Sequence, residues 1–113
     1  MKHLEEWTWN VAKSNAGIAV FYKRGDEEIA LTVVPGAGGN EPLQFKGNPL
    51  QNHWKRFLVG TADLRNFYPP KKDDVIRFWS TGATWTVKPN ASGATFTEVG
   101  AYGTMIQIHT VKG

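Results

Sequence analysis

Cysteine is absent from the 113 residues, which removes thiol nucleophiles, disulfide bridges and every cysteine-containing zinc site. Long apolar runs are missing as well. Nothing approaches the ~18 residues that a membrane helix needs, and the opening MKHLEEWTWN has acids where a secretory leader would carry its apolar stretch. The chain is therefore expected to be soluble, away from membranes and without an export signal. His3, His53 and His109 are scattered, with no His at i+4 from another and no carboxylate spaced to orient one on a metal. Ser14, Ser80 and Ser92 all lie outside a Gly-x-Ser-x-Gly elbow. These shortages leave no assembled catalytic chemistry, and the sequence reads as a non-enzyme without a metal or cofactor.

What the chain does have is rings and turn residues: 5 Trp, 6 Phe and 3 Tyr beside 12 Gly and 6 Pro. With many Thr and Val, that mixture favours strands joined by tight turns over a helical bundle. A chain of 12.6 kDa makes one domain, residues 1–113, exposing about 6,200 Å² once folded. The net charge of +3 is uneven, with −2 over residues 1–45 and +5 over 46–113. The asymmetry predicts surfaces of unlike sign on one small body.

Leu4, Trp7 and Val11 recur at i, i+3 and i+7, with Glu5 and Glu6 early and Lys13 late, so a helix is expected at 4–14. Asn15-Ala16-Gly17 ends it. Ile18, Val20 and Tyr22 then alternate with Ala19, Phe21 and Lys23, and beyond Arg24-Gly25-Asp26-Glu27 the alternation resumes at Ile29, Leu31 and Val33. This predicts a β-hairpin over 18–34. Residues 35–52 hold three Pro and four Gly and are read as a long surface loop with at most a brief extended piece at 43–46. Strands are expected at 53–59, 75–79, 84–88, 94–99 and 104–111, with Ile106 and Ile108 inward and Gln107 and His109 outward. Thr61 is read as the cap of a short turn at 61–64, and 66–74 as a proline-stiffened connection. The fold class is mainly β: a small antiparallel β-barrel or sandwich over 53–111 with a short N-terminal α-helix and a long loop.

Several short motifs have an ordinary reading beside a functional one. Gly36-Ala37-Gly38-Gly39 follows a strand as phosphate-cradling loops do, but the Lys-Ser/Thr that such loops require is missing, so it reads as loop. Arg24-Gly25-Asp26 spells an adhesion tripeptide at a hairpin tip, where its side chains would meet solvent; Gly-Asp is also common hairpin-turn chemistry and is read so. Asn90-Ala91-Ser92 fits a glycosylation acceptor and is read as a turn. Asp73 and Asp74, adjacent at the start of a strand, point to opposite faces and do not converge on a cation. The Trp residues with Lys55, Arg56, Lys71, Lys72 and Arg77 would suit a stacking platform for single-stranded nucleic acid. Arg77 and Trp79 share a face, whereas Trp85 sits with Val87 and reads as core.

In the C-terminal half, Lys55-Arg56-Phe57-Leu58-Val59, Ala62-Asp63-Leu64, Pro70-Lys71-Lys72-Asp73-Asp74-Val75-Ile76, Trp85-Thr86-Val87 and Tyr102-Gly103-Thr104-Met105-Ile106-Gln107-Ile108-His109-Thr110 follow one another in an order that resembles small tailed-bacteriophage and prophage proteins of the head-tail joining type (connectors, adaptors, stoppers). Val20-Phe21-Tyr22-Lys23-Arg24-Gly25, after a Trp-containing helix, is similar to their upstream hairpin. Two positions depart from the pattern. Asp73 stands where such proteins have Gly, implying a less tight turn, and Gln107 stands where they have Arg, removing a positive charge.

The resemblance implies a β-barrel virion protein that assembles as a ring of copies between portal and tail, with loops reaching neighbours or DNA in the channel. It would be made in the host cytoplasm and end in the virion. Partner contacts are expected from Gly36, Gly38, Gly39, Asn40 and Phe45 in the 35–52 segment and from Phe67, Tyr68, Lys71 and Lys72 in the 66–74 segment. Lys71 and Lys72 are the residues expected to face DNA or an acidic neighbour. The alternatives are an OB-like single-stranded nucleic-acid-binding barrel and a small carbohydrate-binding sandwich, both of which would use exposed Trp.

Overall fold

In the computed structural model, β1 (Ile18–Arg24) and β2 (Glu27–Phe45) form the expected hairpin, joined by Gly25 and Asp26. Gly25 alone of the two has a positive φ, 61°, the type II′ pattern whose twist suits antiparallel neighbours. The structure describes the backbone of residues 2–45, 48–100 and 102–113, and the side chains of 7–36, 54–100 and 102–113. The inward row of the hairpin is the one that the alternation selects: Val20, Tyr22, Leu31 and Val33 are buried, and Ile18 and Ile29 pack against them.

The remaining strands are β3 (Asn48–Gly60), β4 (Val75–Phe78), β5 (Thr84–Val87), β6 (Phe96–Val99) and β7 (Met105–Lys112). Antiparallel pairing runs from β1 to β2, β3, β7, β5, β4 and back to β1, so that these strands close into a barrel. β6 lies outside that ring, paired with β7 at Met105–Ile108. Phe57, Val59, Ile76, Val87, Ile106 and Ile108 fill the interior. On β7 the isoleucines point in while Gln107 and His109 lie half-buried on the other face, as the period of two requires.

The barrel seam between β2 and β3 is only partly zipped. β2 meets β3 first at Val34 and Pro35, opposite Leu58 and Phe57. The gap below is filled by a 3₁₀ segment, Ala62–Phe67, whose Leu64 and Phe67 are buried. Thr61 does not cap this segment. Its hydroxyl donates to the Gly103 carbonyl at 2.5 Å and its N–H to the Thr104 carbonyl at 2.9 Å, which ties the segment to the start of β7.

In the long loop expected at 35–52, the described residues, 35–45 and 48–52, are paired as strand. β2 and β3 continue beyond the barrel as a two-stranded arm, paired from Gly38–Lys55 to Phe45–Asn48. At its base, 36 and 37 on β2 oppose Arg56 alone on β3, a β-bulge that turns the ribbon away from the barrel wall. Pro42 and Pro49 lie opposite Gln51 and Gln44, two steps apart in register and so in one class of pair. Proline fits the class whose N–H points away from the partner strand, where no ladder bond is lost. Glycine and proline, the composition that suggests a loop, are here compatible with an edge ribbon. The arm gives the molecule extents of 49 × 29 × 25 Å and raises its surface to 7173 Å², above the compact expectation.

Helix α1 (Lys2–Ala16) is present but turned differently from the predicted stripe. Trp7 and Val11 are exposed, and the side chain of Leu4 lies outside the described residues. Trp9 is the buried one, at 4% exposure. Its indole donates to Asp63 Oδ2 at 3.3 Å, and Lys13, one turn on, sits over the ring and 3.6 Å from the same oxygen. The cause is Gly60: a β-carbon there would stand 2.6 Å from the Trp9 Nε1 and 2.8 Å from Asp63 Oδ2. The missing side chain is the notch into which Trp9 fits.

Gly60→Ala is accordingly expected to expel Trp9 and cost about 1–3 kcal/mol, read as a lower urea midpoint and red-shifted Trp emission. Unchanged emission would show that the helix does not dock through this notch.

Candidate functional site

Arg24 and Asp74 organise one end of the barrel. On β1, Arg24 follows Tyr22 on the inward row. The Tyr22 hydroxyl donates to Asp74 Oδ2 at 2.6 Å; Arg24 donates to Asp74 through Nε at 2.9 Å and Nη2 at 2.7 Å. The Lys71 N–H adds a fourth bond to this carboxylate at 2.9 Å. Nη2 of Arg24 also reaches the carbonyls of Phe67 at 2.8 Å and Pro69 at 3.0 Å, so one guanidinium fastens the whole 66–74 connection to the hairpin. Asp74 is 2% exposed, and a buried carboxylate persists only when paired and hydrogen-bonded in this way. Burial pushes the Tyr22 hydroxyl far above its ordinary value, and its bond to Asp74 raises it further. The Asp74 hydrogen bond raises Arg24 against the opposing effect of burial.

This network corrects two expectations. The Arg24 side chain is only 28% exposed and its guanidinium is engaged by Asp74 and the Phe67 and Pro69 carbonyls, so the arginine of Arg24-Gly25-Asp26 is not free at the hairpin tip. Among the described residues, the unlike halves of the chain also do not separate at this end of the barrel. Lys23 pairs with Val75, and Arg24 binds Asp74, which brings the acidic tip at Asp26, Glu27 and Glu28 to the same end as Lys71 and Lys72.

Lys71–Asp74 is a closed turn, with the Asp74 N–H on the Lys71 carbonyl at 3.1 Å and Asp73 at φ 73°. That is the third position of a type II turn, which favours Gly. Asp73 therefore keeps the tight turn in a left-handed conformation that Asp tolerates, and the expected loosening does not occur. Its carboxylate faces outward to Lys88 Nζ at 2.5 Å, which holds it below the usual carboxylate range.

The contact residues anticipated in this region divide. Lys71 and Lys72 are exposed, and Tyr68 is 38% exposed with its ring edge-on to Phe96. Phe67 is withdrawn: its ring is 6% exposed, T-shaped against Tyr22 and beneath Arg24. It became core because the 3₁₀ segment plugs the seam. Of the arm residues, Gly36 is exposed at the bulge, 3.2 Å from the Arg56 carbonyl measured at an added β-carbon. Gly38, Gly39, Asn40 and Phe45 pair with Lys55, Trp54, His53 and Asn48; the side chains of Asn40, Phe45, His53 and Asn48 lie outside the described residues.

Sequence reasoning missed Arg65. Its backbone sits at φ 52°, ψ −123° where two 3₁₀ turns meet, a geometry suited to Gly that costs another residue about 1–3 kcal/mol. Arg65 borders an open cavity of about 350 Å³ with Glu27, Glu28, Ile29, Asn66 and Phe67. The side chain is exposed, and no ion pair or hydrogen bond from its guanidinium is found among the described residues. No local motif marks the position, since Leu64-Arg65-Asn66 has no turn-forming glycine.

The rings do not assemble into one platform. Trp79, 70% exposed, stands edge-on to Phe21, beneath which Arg77 stacks at 4.8 Å, so Arg77 and Trp79 do share a face. Trp7 is on the helix and Trp9 is buried, while Trp85 packs on Phe57. Asn90 is occupied within its own turn, its Oδ1 accepting from the N–H groups of Ser92 and Ala94 and from the Ser92 hydroxyl. No helix among the described residues is long and apolar enough to cross a membrane.

The described residues thus form a closed barrel, a two-stranded arm and a connection pinned to the hairpin by Arg24. Against known families, the description that matches is "Phage head-tail joining protein", and the match covers residues 1–113. The chain belongs to the phage head-tail joining protein family. No curated protein and no solved structure matches it. Membership makes this head-tail joining protein a virion structural component of the connector kind, interacting with portal and tail proteins.

Asp74→Ala in this joining protein is expected to cost about 3–5 kcal/mol, because it strands Tyr22 and Arg24; chemical denaturation measures it. The raised Tyr22 hydroxyl also gives a pH dependence. Above about pH 10 the unfolded chain loses this proton while the folded chain keeps it. The stability is complete below that pH and declines above it. Tyr22→Phe removes this part of the alkaline decline, which urea titrations from about pH 9 to 11.5 resolve.

Proposed function

We propose that this chain is a non-enzymatic joint component that assembles as a ring of copies between portal and tail, made in the host cytoplasm and incorporated into the virion. The observation that carries the reading is the family match along the whole chain. The arm supports it, since the ten steps from Pro35 to Phe45 reach about 33 Å when extended, enough to cross a neighbouring subunit of this width. Gly36, Gly38, Gly39, Asn40 and Phe45 would make the arm's contacts, with Tyr68 contributing from the pinned connection. Lys71 and Lys72 face the DNA channel or an acidic neighbour; the Asp74 bond to the Lys71 backbone fixes their turn while leaving both ammonium groups in solvent. A scattered set of rings gives the single-strand-binding alternative no surface on which to stack successive bases.

Sedimentation of the purified chain, alone and with its portal, tests the assembly. A ring of copies, free or on the portal, is the expected species, and a chain that neither forms nor joins one under any condition overturns the reading. For the lysines, Lys71→Glu with Lys72→Glu leaves thermal stability unchanged and lowers the salt slope of duplex DNA binding by about 2 if both meet phosphates. An unchanged slope removes them from the channel.

A further inference from the structure

The seam that the 3₁₀ segment plugs leaves one edge of β2 open. The Ala19 carbonyl accepts from the Trp79 N–H at 3.2 Å, on the β4 side of β1. Residues 19, 21 and 23 thus aim their backbone groups at β4, and their partners Thr32, Ala30 and Glu28 aim theirs away from β1. No backbone hydrogen bond reaches that edge among the described residues. Facing its lower part, across the cavity, is Arg65, in a backbone conformation that penalises every residue but Gly and with a guanidinium that binds nothing among the described residues. An exposed arginine held at such a position is accounted for by a contact outside the chain.

We propose that the β2 edge over Glu28–Thr32, with Arg65 across the groove, receives an extended segment of another virion protein by strand addition. The inference rests on the joining role proposed above. The groove sets Glu27 against Arg65, while the Glu28 carboxylate lies 3.7 Å from Arg77. It therefore selects a segment with one acidic side chain placed for Arg65 and one basic side chain placed for Glu27. A second copy of this chain is a poor donor. Its other barrel strands are already paired, both strands of its arm carry a proline, and the free edges of its β2 and β6 carry Glu27 and Glu98, like in charge to the groove's own Glu27.

Two variants test this with heads and tails isolated from particles lacking the protein, joined in vitro by purified chain. Ala30→Pro removes an N–H that no bond among the described residues uses, at an exposed edge position, and is expected to keep the melting temperature while cutting joined particles about tenfold. Arg65→Gly relieves the backbone and is expected to raise the melting temperature by about 3–6 °C while also reducing joining. In joined particles, hydrogen exchange over residues 28–32 slows relative to the free wild-type chain. Ala30→Pro that melts normally and joins like wild type overturns the proposal. If Ala30→Pro melts lower, Arg65→Gly joining like wild type overturns it instead. Failure of the wild-type chain itself to join heads and tails counts against the joining role, before either variant is compared.

Discussion

The carboxylate of Asp74 is the point on which the geometry of this protein depends. It sits at the start of β4, inside the barrel end, and takes bonds from a tyrosine and an arginine about fifty residues earlier in the chain. Isolated, such a charge would be costly enough to unfold a domain of this size. Fully bonded, it works as a clamp. Arg24 spans Asp74 and the carbonyls of Phe67 and Pro69, and so fixes the connection that carries Tyr68, Lys71 and Lys72. The local order of these exposed residues follows from a buried pair rather than from packing of their own side chains.

The same clamp decides how the barrel closes. β2 and β3 zip only at Val34 and Pro35 before diverging into the arm, so the lower seam needs filling. Leu64 and Phe67 supply that from the 3₁₀ segment, and Arg24 holds Phe67 in place by its carbonyl. Above it, Trp9 occupies the notch at Gly60. A six-stranded barrel with an incomplete seam is stable because two short elements plug it. The cost is a strained Arg65 and a strand edge without a partner among the described residues.

Period-two alternation made the strands legible, and the inward rows of β1, β2 and β7 follow it residue by residue. The helix shows where periodicity stops informing. Leu4, Trp7 and Val11 form as regular a stripe as any, but Trp9 is buried because a glycine fifty residues away leaves room for it. The arm was illegible for a related reason: glycine and proline disfavour central strands, and only the register with residues 48–55 reveals an edge ribbon. Arg24 offered a usable signal. It is the next inward position after Tyr22, and an inward charge at a strand end requires a carboxylate. Asp74, immediately before an apolar strand, was the candidate.

Glutamates on the open edge of β2 have a protective reading, since charged side chains there discourage edge-to-edge aggregation. That reading accounts for Glu28, as the prolines of the arm account for its own edges. It leaves Arg65 unexplained. An arginine across the groove weakens a like-charge guard by offering a counter-ion, and it does so from a backbone geometry that glycine would occupy at lower cost. A guarded edge alone would be better built with glycine at 65 and no cation opposite. The combination of Glu27 on the strand, a base across from it that binds nothing among the described residues, and strain held in an exposed residue fits selective admission: repulsion for the wrong segment, a charge-assisted anchor for the right one.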